Sequence, residues 1–158
     1  MLSQTFFTVS SAIVMFAMLA IPTQALPVDQ ELAAAAPAAC LGFRITSPVK
    51  SGLKWTYGQC YSADWDLGAS QVTTITSVQL VDAKTKKVVA TEAKNIAGSK
   101  LTTGNFPLLM GDDVNADNYY FQVNGKTSSG STKTCSLNSV TFHVEVNPNS
   151  PPETNCRN

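Results

Sequence analysis

The chain has 158 residues, with eleven acidic and eleven basic side chains and only 14% charged residues in all. A formal net charge of zero, without a large basic patch, excludes the electrostatic footprint of a nucleic-acid or anionic-membrane partner. The surface must draw its polarity from Ser, Thr and Asn instead.

Residues 1–25 contain no acid or base, hold an apolar core from Val9 to Ile21 broken only by Ser10 and Ser11, and close with Thr23-Gln24-Ala25. That pattern reads as a secretory signal cleaved after Ala25. A membrane anchor is the competing reading, but the apolar core is shorter than the roughly 20 residues a span requires. No other segment is expected to span a bilayer, so about 130 residues remain, enough for one domain with a modest core. Residues 26–39 are Ala-rich and Pro-bounded and read as a linker or a removable pro-segment.

The first strand is expected at 43–47, halted by Pro48, which cannot donate to a ladder. Residues 51–58 read as a turn region holding Gly52, Trp55, Tyr57 and Gly58, and 60–65 as the next strand. Alternation over 72–81 changes phase near 77–80, which predicts a bulge or bend there. Residues 82–86 form a hairpin turn and 87–91 return as a strand. Lys84, Lys86 and Lys87 read as a solvated turn beside an edge strand, the alternative being a binding patch. A weaker strand is expected at 95–97, then an apolar run at 106–110 in which Pro107 limits pairing.

The strongest pattern is 117–123, where Tyr119, Phe121 and Val123 share one face and Asn118, Tyr120 and Gln122 the other. Residues 126–133 read as a polar loop. Val140, Phe142, Val144 and Val146 then share a face of the last strand, and 147–158 form an extended, poorly ordered tail held at Cys156. About seven short strands and no helix predict an all-β antiparallel sandwich over residues 40–146. Its predicted core is Trp65, Ile75, Val78, Leu80, Tyr119, Phe121, Val123, Phe142 and Val144.

The pattern Asp117-x-Tyr119-x-Phe121-x-Val123 resembles strand F of immunoglobulin and fibronectin type III sandwiches, in which a Tyr turns its hydroxyl onto the preceding corner. Tyr119 is that candidate. All four cysteines lie in the exported part, as two disulfides in an oxidising compartment require. A metal site is the alternative, but there is no Cys-x2-Cys pair and the one histidine, His143, sits in a strand pattern. In fibronectin type III topology the first and last strands run the same way. Cys40 and Cys135, which precede them, then fall at one end, while Cys60 and Cys156 fall at the other, so the expected bridges are Cys40–Cys135 and Cys60–Cys156.

Ile45-Thr46-Ser47-Pro48, Trp55-x-x-Gly58, Trp65 and Ser77-Val78-Gln79-Leu80, followed by Asp117 to Val123 and Ser139-x-x-Phe142-x-Val144, resemble a known fungal module. It is the N-terminal domain of Knh-type cell-wall synthesis proteins, the Ser/Thr-rich glycosylphosphatidylinositol-anchored membrane family. The likeness covers roughly residues 43–146. It implies a secreted or surface immunoglobulin-like module of fungal cell-wall assembly, associated with β-glucan, with no catalytic residue to carry over. The chain departs from the family pattern in its cysteines, in a reduced aromatic segment at Phe106-Pro107, and in lacking a Ser/Thr-rich tail.

Candidate sites are few. Asp113-x-Asn115-x-Asp117 has the spacing that opens a calcium loop, but Asn118 and Asn124 stand where that loop needs Gly and Glu, so a turn is expected. Asp64 and Asp66 share a strand face as a glycosidase pair could, without a third group to mark a cleft. His143 has no nucleophile that sequence places beside it. Trp55 and Tyr57 are the candidate ligand-binding residues, because exposed aromatics in a glycine-flanked loop can stack on sugar rings; plugging the end of the sandwich is their alternative role. The expectation is a monomeric, non-catalytic secreted module without metal or cofactor, whose partner is a cell-wall polysaccharide or glycoprotein. The alternative is a secreted interaction protein, an effector or inhibitor, acting on a protein partner.

Overall fold

The computed structural model describes residues 37–111, 115–128 and 133–157. The expected signal segment, most of the linker and Asp113 of the candidate calcium loop lie outside the described residues. A single helical turn at Ala38–Cys40 leads into ten strands: β1 (Arg44–Ser47), β2 (Lys54–Thr56), β3 (Cys60–Tyr61), β4 (Asp64–Asp66), β5 (Val72–Asp82), β6 (Val88–Ala97), β7 (Phe106–Pro107), β8 (Asp117–Thr127), β9 (Thr134–Asn138) and β10 (Phe142–Glu145). The fold is an all-β sandwich. One layer runs β2, β10, β8, β5, β6, with β9 paired to the same side of β8 as β10. The facing layer is built from the pairs β1–β4 and β3–β7.

Ten segments amount to the seven strands expected, because three strands are broken. The first changes layer between β1 and β2. The second bends between β3 and β4, where the Ala63 carbonyl accepts the Thr103 N–H and the Ala63 N–H donates to Thr103 Oγ1. The last is interrupted between β9 and β10 at Ser139, whose hydroxyl accepts the Phe121 N–H. Strand β2 pairs with β10 in parallel, so the chain's first and last strands run the same way.

Strand β8 sits at the centre, bonded to β5 along one side and to β9 and β10 along the other. Its alternation does what the sequence demands: Tyr119, Phe121 and Val123 are buried and Asn118, Tyr120 and Gln122 face away. All nine predicted core residues are at most 2% exposed. The Tyr119 hydroxyl donates to the Asn115 carbonyl at 3.0 Å, which closes the expected corner. Register shifts in the pairings of β5 occur at Val72/Thr74 and Ile75/Ser77 on the β8 side and at Val78/Gln79 and Leu80/Val81 on the β6 side, so the irregularity expected at 77–80 is present but extends along the whole strand.

Both disulfides have the expected pairing, Cys40–Cys135 and Cys60–Cys156, with Cα atoms 5.6 and 5.7 Å apart. Two such bridges belong to an oxidising, extracellular type of environment. No helix among the described residues is long and apolar enough to cross a membrane.

Several local expectations are corrected. The region around Trp55, read as a turn, contains β2, because its backbone finds a partner in β10 that no local pattern reveals. The two strands expected at 87–91 and 95–97 form one strand, β6, which begins at Val88 and is continuous through Asn95 at φ 53. Strand β9 was not anticipated, since the strand it pairs with lies before a polar loop. Val146, expected on the core face, is 42% exposed. Ala39, assigned to the linker, is buried, and its carbonyl accepts the Gln71 N–H. The tail is held by more than Cys156: Glu153 N–H donates to Gly58 O and Gln59 Nε2 to Ser150 Oγ. Gly58, at φ +77, lies so close to Pro152 that a Cβ there would come within 2.5 Å of it.

Phe121→Ala removes a side chain with no exposed surface from the middle of the central strand. It should cost about 3–5 kcal/mol, read as a large fall in melting temperature; an unchanged melting temperature would contradict the assigned strand phase. Reduction of both bridges, each closing a loop of about 95 residues, should destabilise by up to roughly 4–5 kcal/mol per bridge, read as a lower denaturation midpoint in reductant.

Candidate functional site

Trp55 is a core residue. Only 8% of it is exposed, one face of its indole stacks on Tyr61 at 4.1 Å and 4° between planes, and Phe142 lies 4.3 Å away. Neither face is left for a sugar ring. Tyr61, from the other layer, is fixed by accepting the Thr56 N–H on its hydroxyl at 2.7 Å. Tyr57 is half-buried against the same cluster. The two residues singled out in the sequence therefore close the end of the sandwich.

The paired aspartates are also structural. Asp64 accepts bonds from Thr102 and Ser62, and Asp66 pairs with Arg44 and accepts the Gly68 N–H. His143 Nδ1 lies 3.3 Å from Asn118 Oδ1, an amide rather than a nucleophile. Asp117 Oδ1 accepts the N–H of Asn118. Among the described residues no group of three or more His, Cys, Asp or Glu side chains could hold a metal ion.

What the fold assembles instead is the outer face of the large sheet. Residues directly opposite one another in paired strands share a face, so the register alone defines its rungs. One rung is Asn138, Gln122, Gln79 and Thr91; the next is Ser136, Asn124, Ser77 and Lys94. With strands about 4.8 Å apart, each rung spans about 14 Å. The side chains are tied to each other: Asn124 Nδ2 donates to Ser77 Oγ at 3.1 Å and to Gln79 Oε1 at 3.2 Å, and Gln122 Nε2 to Asn138 Oδ1 at 3.4 Å. Ser77, Gln79, Gln122, Asn124 and Asn138 are thus amide and hydroxyl groups already held in place, and Lys94 puts a charge at the end of the second rung.

Its borders differ in chemistry. On one side Tyr120 stands opposite Val81, which stands opposite Val88, giving an apolar rung of which Val88 is 48% exposed. The ammonium of Lys86 lies 5.3 Å from the Tyr120 ring centroid. Beyond Asn118 and His143, Lys54 Nζ donates to Glu145 Oε1 at 2.8 Å. This hydrogen bond and the accompanying attraction raise the Lys54 pKa and lower that of Glu145. Exposed pairs of this kind contribute little to stability.

A concavity of roughly 400 Å³ lies beside the hairpin, floored by Met110 and Tyr119 and rimmed by Asp82, Thr85 and Val88. Asp82 Oδ1 is already taken by the N–H groups of Lys84 and Thr85. Those bonds, that of Thr85 first, hold its carboxyl below the usual range. The rim therefore serves the turn before it serves a ligand.

The grid escaped sequence reasoning because its members lie on four strands. Asn118, Tyr120 and Gln122 were recognisable as one polar face, but not the neighbours that complete it. Comparison with protein-family models, with curated proteins and with solved structures finds no match to the chain.

Because Trp55 is packed on both faces, Trp55→Ala should cost about 3–5 kcal/mol of stability. Tyr57→Ala, at a half-buried position, should cost clearly less. Thermal unfolding of the two variants checks this order, and equal losses would contradict the packing described.

Proposed function

We propose that the protein is a secreted, non-catalytic β-sandwich module that binds a neutral cell-wall polysaccharide of the β-glucan class. The observation that carries this reading is the grid of Gln79, Gln122, Asn124 and Asn138 on the outer face of the large sheet. Sugar hydroxyls both donate and accept hydrogen bonds, and primary amides offer both functions in one side chain. Those amides are held by one another, so little rotamer freedom is lost when a ligand docks. At the border, exposed Val88 and half-buried Tyr120, on either side of buried Val81, supply apolar surface for the ring faces of a sugar. The uncharged centre of the grid suits a polymer without charge. The resemblance of residues 43–146 to Knh-type wall modules points to the same ligand class, and the two disulfides suit an extracellular setting.

The test is sedimentation of the purified protein with insoluble β-glucan, with soluble glucan as competitor. The unmodified chain should co-sediment. The Gln122→Ala/Asn124→Ala double variant should bind about tenfold more weakly, since each lost hydrogen bond is worth about 0.5–1.5 kcal/mol net, while keeping its melting temperature within a few degrees. Absence of binding, or binding untouched by the double variant, would overturn the reading. Capture of a specific protein partner through the same face would put the interaction-protein alternative in its place. Release of soluble sugar from the glucan would overturn its non-catalytic part.

A further inference from the structure

Strand β6 is an edge of the large sheet, and its middle contains an acid that fits poorly where it stands. Thr91 pairs with Gln79 and Ala93 pairs with Val78, so Glu92 is the extra residue of a bulge, opposite no residue of β5. Its Oε1 is buried and has no hydrogen-bond partner among the described residues. A buried, unpaired carboxylate is strongly disfavoured, whereas the neutral acid is tolerated. Strand β5, which alone pairs with β6, carries no acid or base from Val72 to Val81. Lys94, two residues along β6, and Lys100, on the connection toward β7, are exposed. Loss of water is the one cause that raises the Glu92 carboxyl, from 4.5 to about 7.

We propose that Glu92 makes β6 a pH-sensitive edge, closed onto β5 in mildly acidic surroundings and opening locally around the bulge as the medium approaches neutrality. Glu92 is half-buried as a residue, and turning the bulge outward returns its ionised Oε1 to water, which weakens the flanking pairs Thr91–Gln79 and Ala93–Val78. An edge strand can open in this way without disturbing β8, because its other side has no partner strand among the described residues. An opened edge exposes backbone donors and acceptors to pairing with another chain. This inference concerns β6 and stands whether or not the grid binds a glucan.

Ionising Glu92 costs more in the closed strand than in the opened one. The folded-state value lies above the unfolded one, so the closing contribution is complete below about pH 4.5 and is lost progressively as pH rises through about 7.

Amide hydrogen exchange of the unmodified secreted protein at pH 5 and pH 8, corrected for intrinsic exchange, is the test. Protection of the amides on either side of Glu92 should fall by up to about 70-fold, the ratio set by ionisation at 4.5 and at about 7. Amides of β8 should change little. Glu92→Gln, which keeps the shape without the charge, should hold protection within about twofold across the same range. Equal loss in Glu92→Gln, or no loss in the unmodified chain, would overturn the proposal. Carbon-13 NMR of the Glu92 carboxyl in the unmodified chain gives an independent reading: titration near 7 supports the proposal, and titration in the ordinary glutamate range refutes it.

Discussion

Contact between two sheets through one aromatic cluster is the constraint on which the remaining structure depends. Trp55, Phe121 and Phe142, from β2, β8 and β10 of the large layer, meet Tyr61 and Phe106, from β3 and β7 of the facing one. Phe121 is tilted against Phe142 at 5.2 Å and meets Phe106 edge-on at 5.9 Å. Such pairs add about 0.5–1.5 kcal/mol beyond the area they bury. The facing layer consists of short pairs that would be marginal alone. This cluster, together with buried Trp65 of β4 and the Cys40–Cys135 bridge to β9, holds it against the large sheet.

Once that face is committed to the core, the period of two leaves no freedom on the other. If Phe121 and Val123 point inward, Gln122 and Asn124 point outward, and a slip of one residue would exchange the two sets. The candidate site is therefore a consequence of the core rather than a feature added to it. Its rungs cross four strands only because β5 and β9 pair with β8 in one register, and the bulges in β5 and β6 adjust that register where Gln79 meets Thr91. The same adjustment strands Glu92 in the edge, so the bulge that completes a rung also creates the strand's pH dependence.

The parts legible in the sequence were those whose signal is local. Alternation across Tyr119, Phe121 and Val123 identified the central strand, its core face and the tyrosine corner. The cysteine pairing came not from a local signal but from the fibronectin type III topology that the central strand resembles, in which the first and last strands run the same way. What failed was long-range. Trp55 sits in three residues that read as a turn and become a strand only because β10, 89 residues away in sequence, lies alongside. Its apparent role as an exposed sugar platform failed with it. Strand β9 follows a polar loop and owes its existence to the open side of β8. The outer grid was half visible, as Asn118, Tyr120 and Gln122, but no single strand encodes which Ser, Gln or Asn will stand opposite. Glu92 gave no signal at all, since an isolated glutamate near an edge is ordinary until its burial is known.

The claim that joins fold to function is that a neutral polysaccharide lies across the rungs of the outer face. Backbone amide shifts of the isotope-labelled protein, titrated with a soluble β-glucan oligosaccharide, test it most directly. The account predicts saturable shifts concentrated on Gln79, Gln122, Asn124, Ser136 and Asn138, with the core-facing neighbours Val78 and Val123 moving less. Saturable shifts confined to the turn around Tyr57 or to the hairpin concavity at Asp82, or no shifts at any attainable concentration, would contradict it.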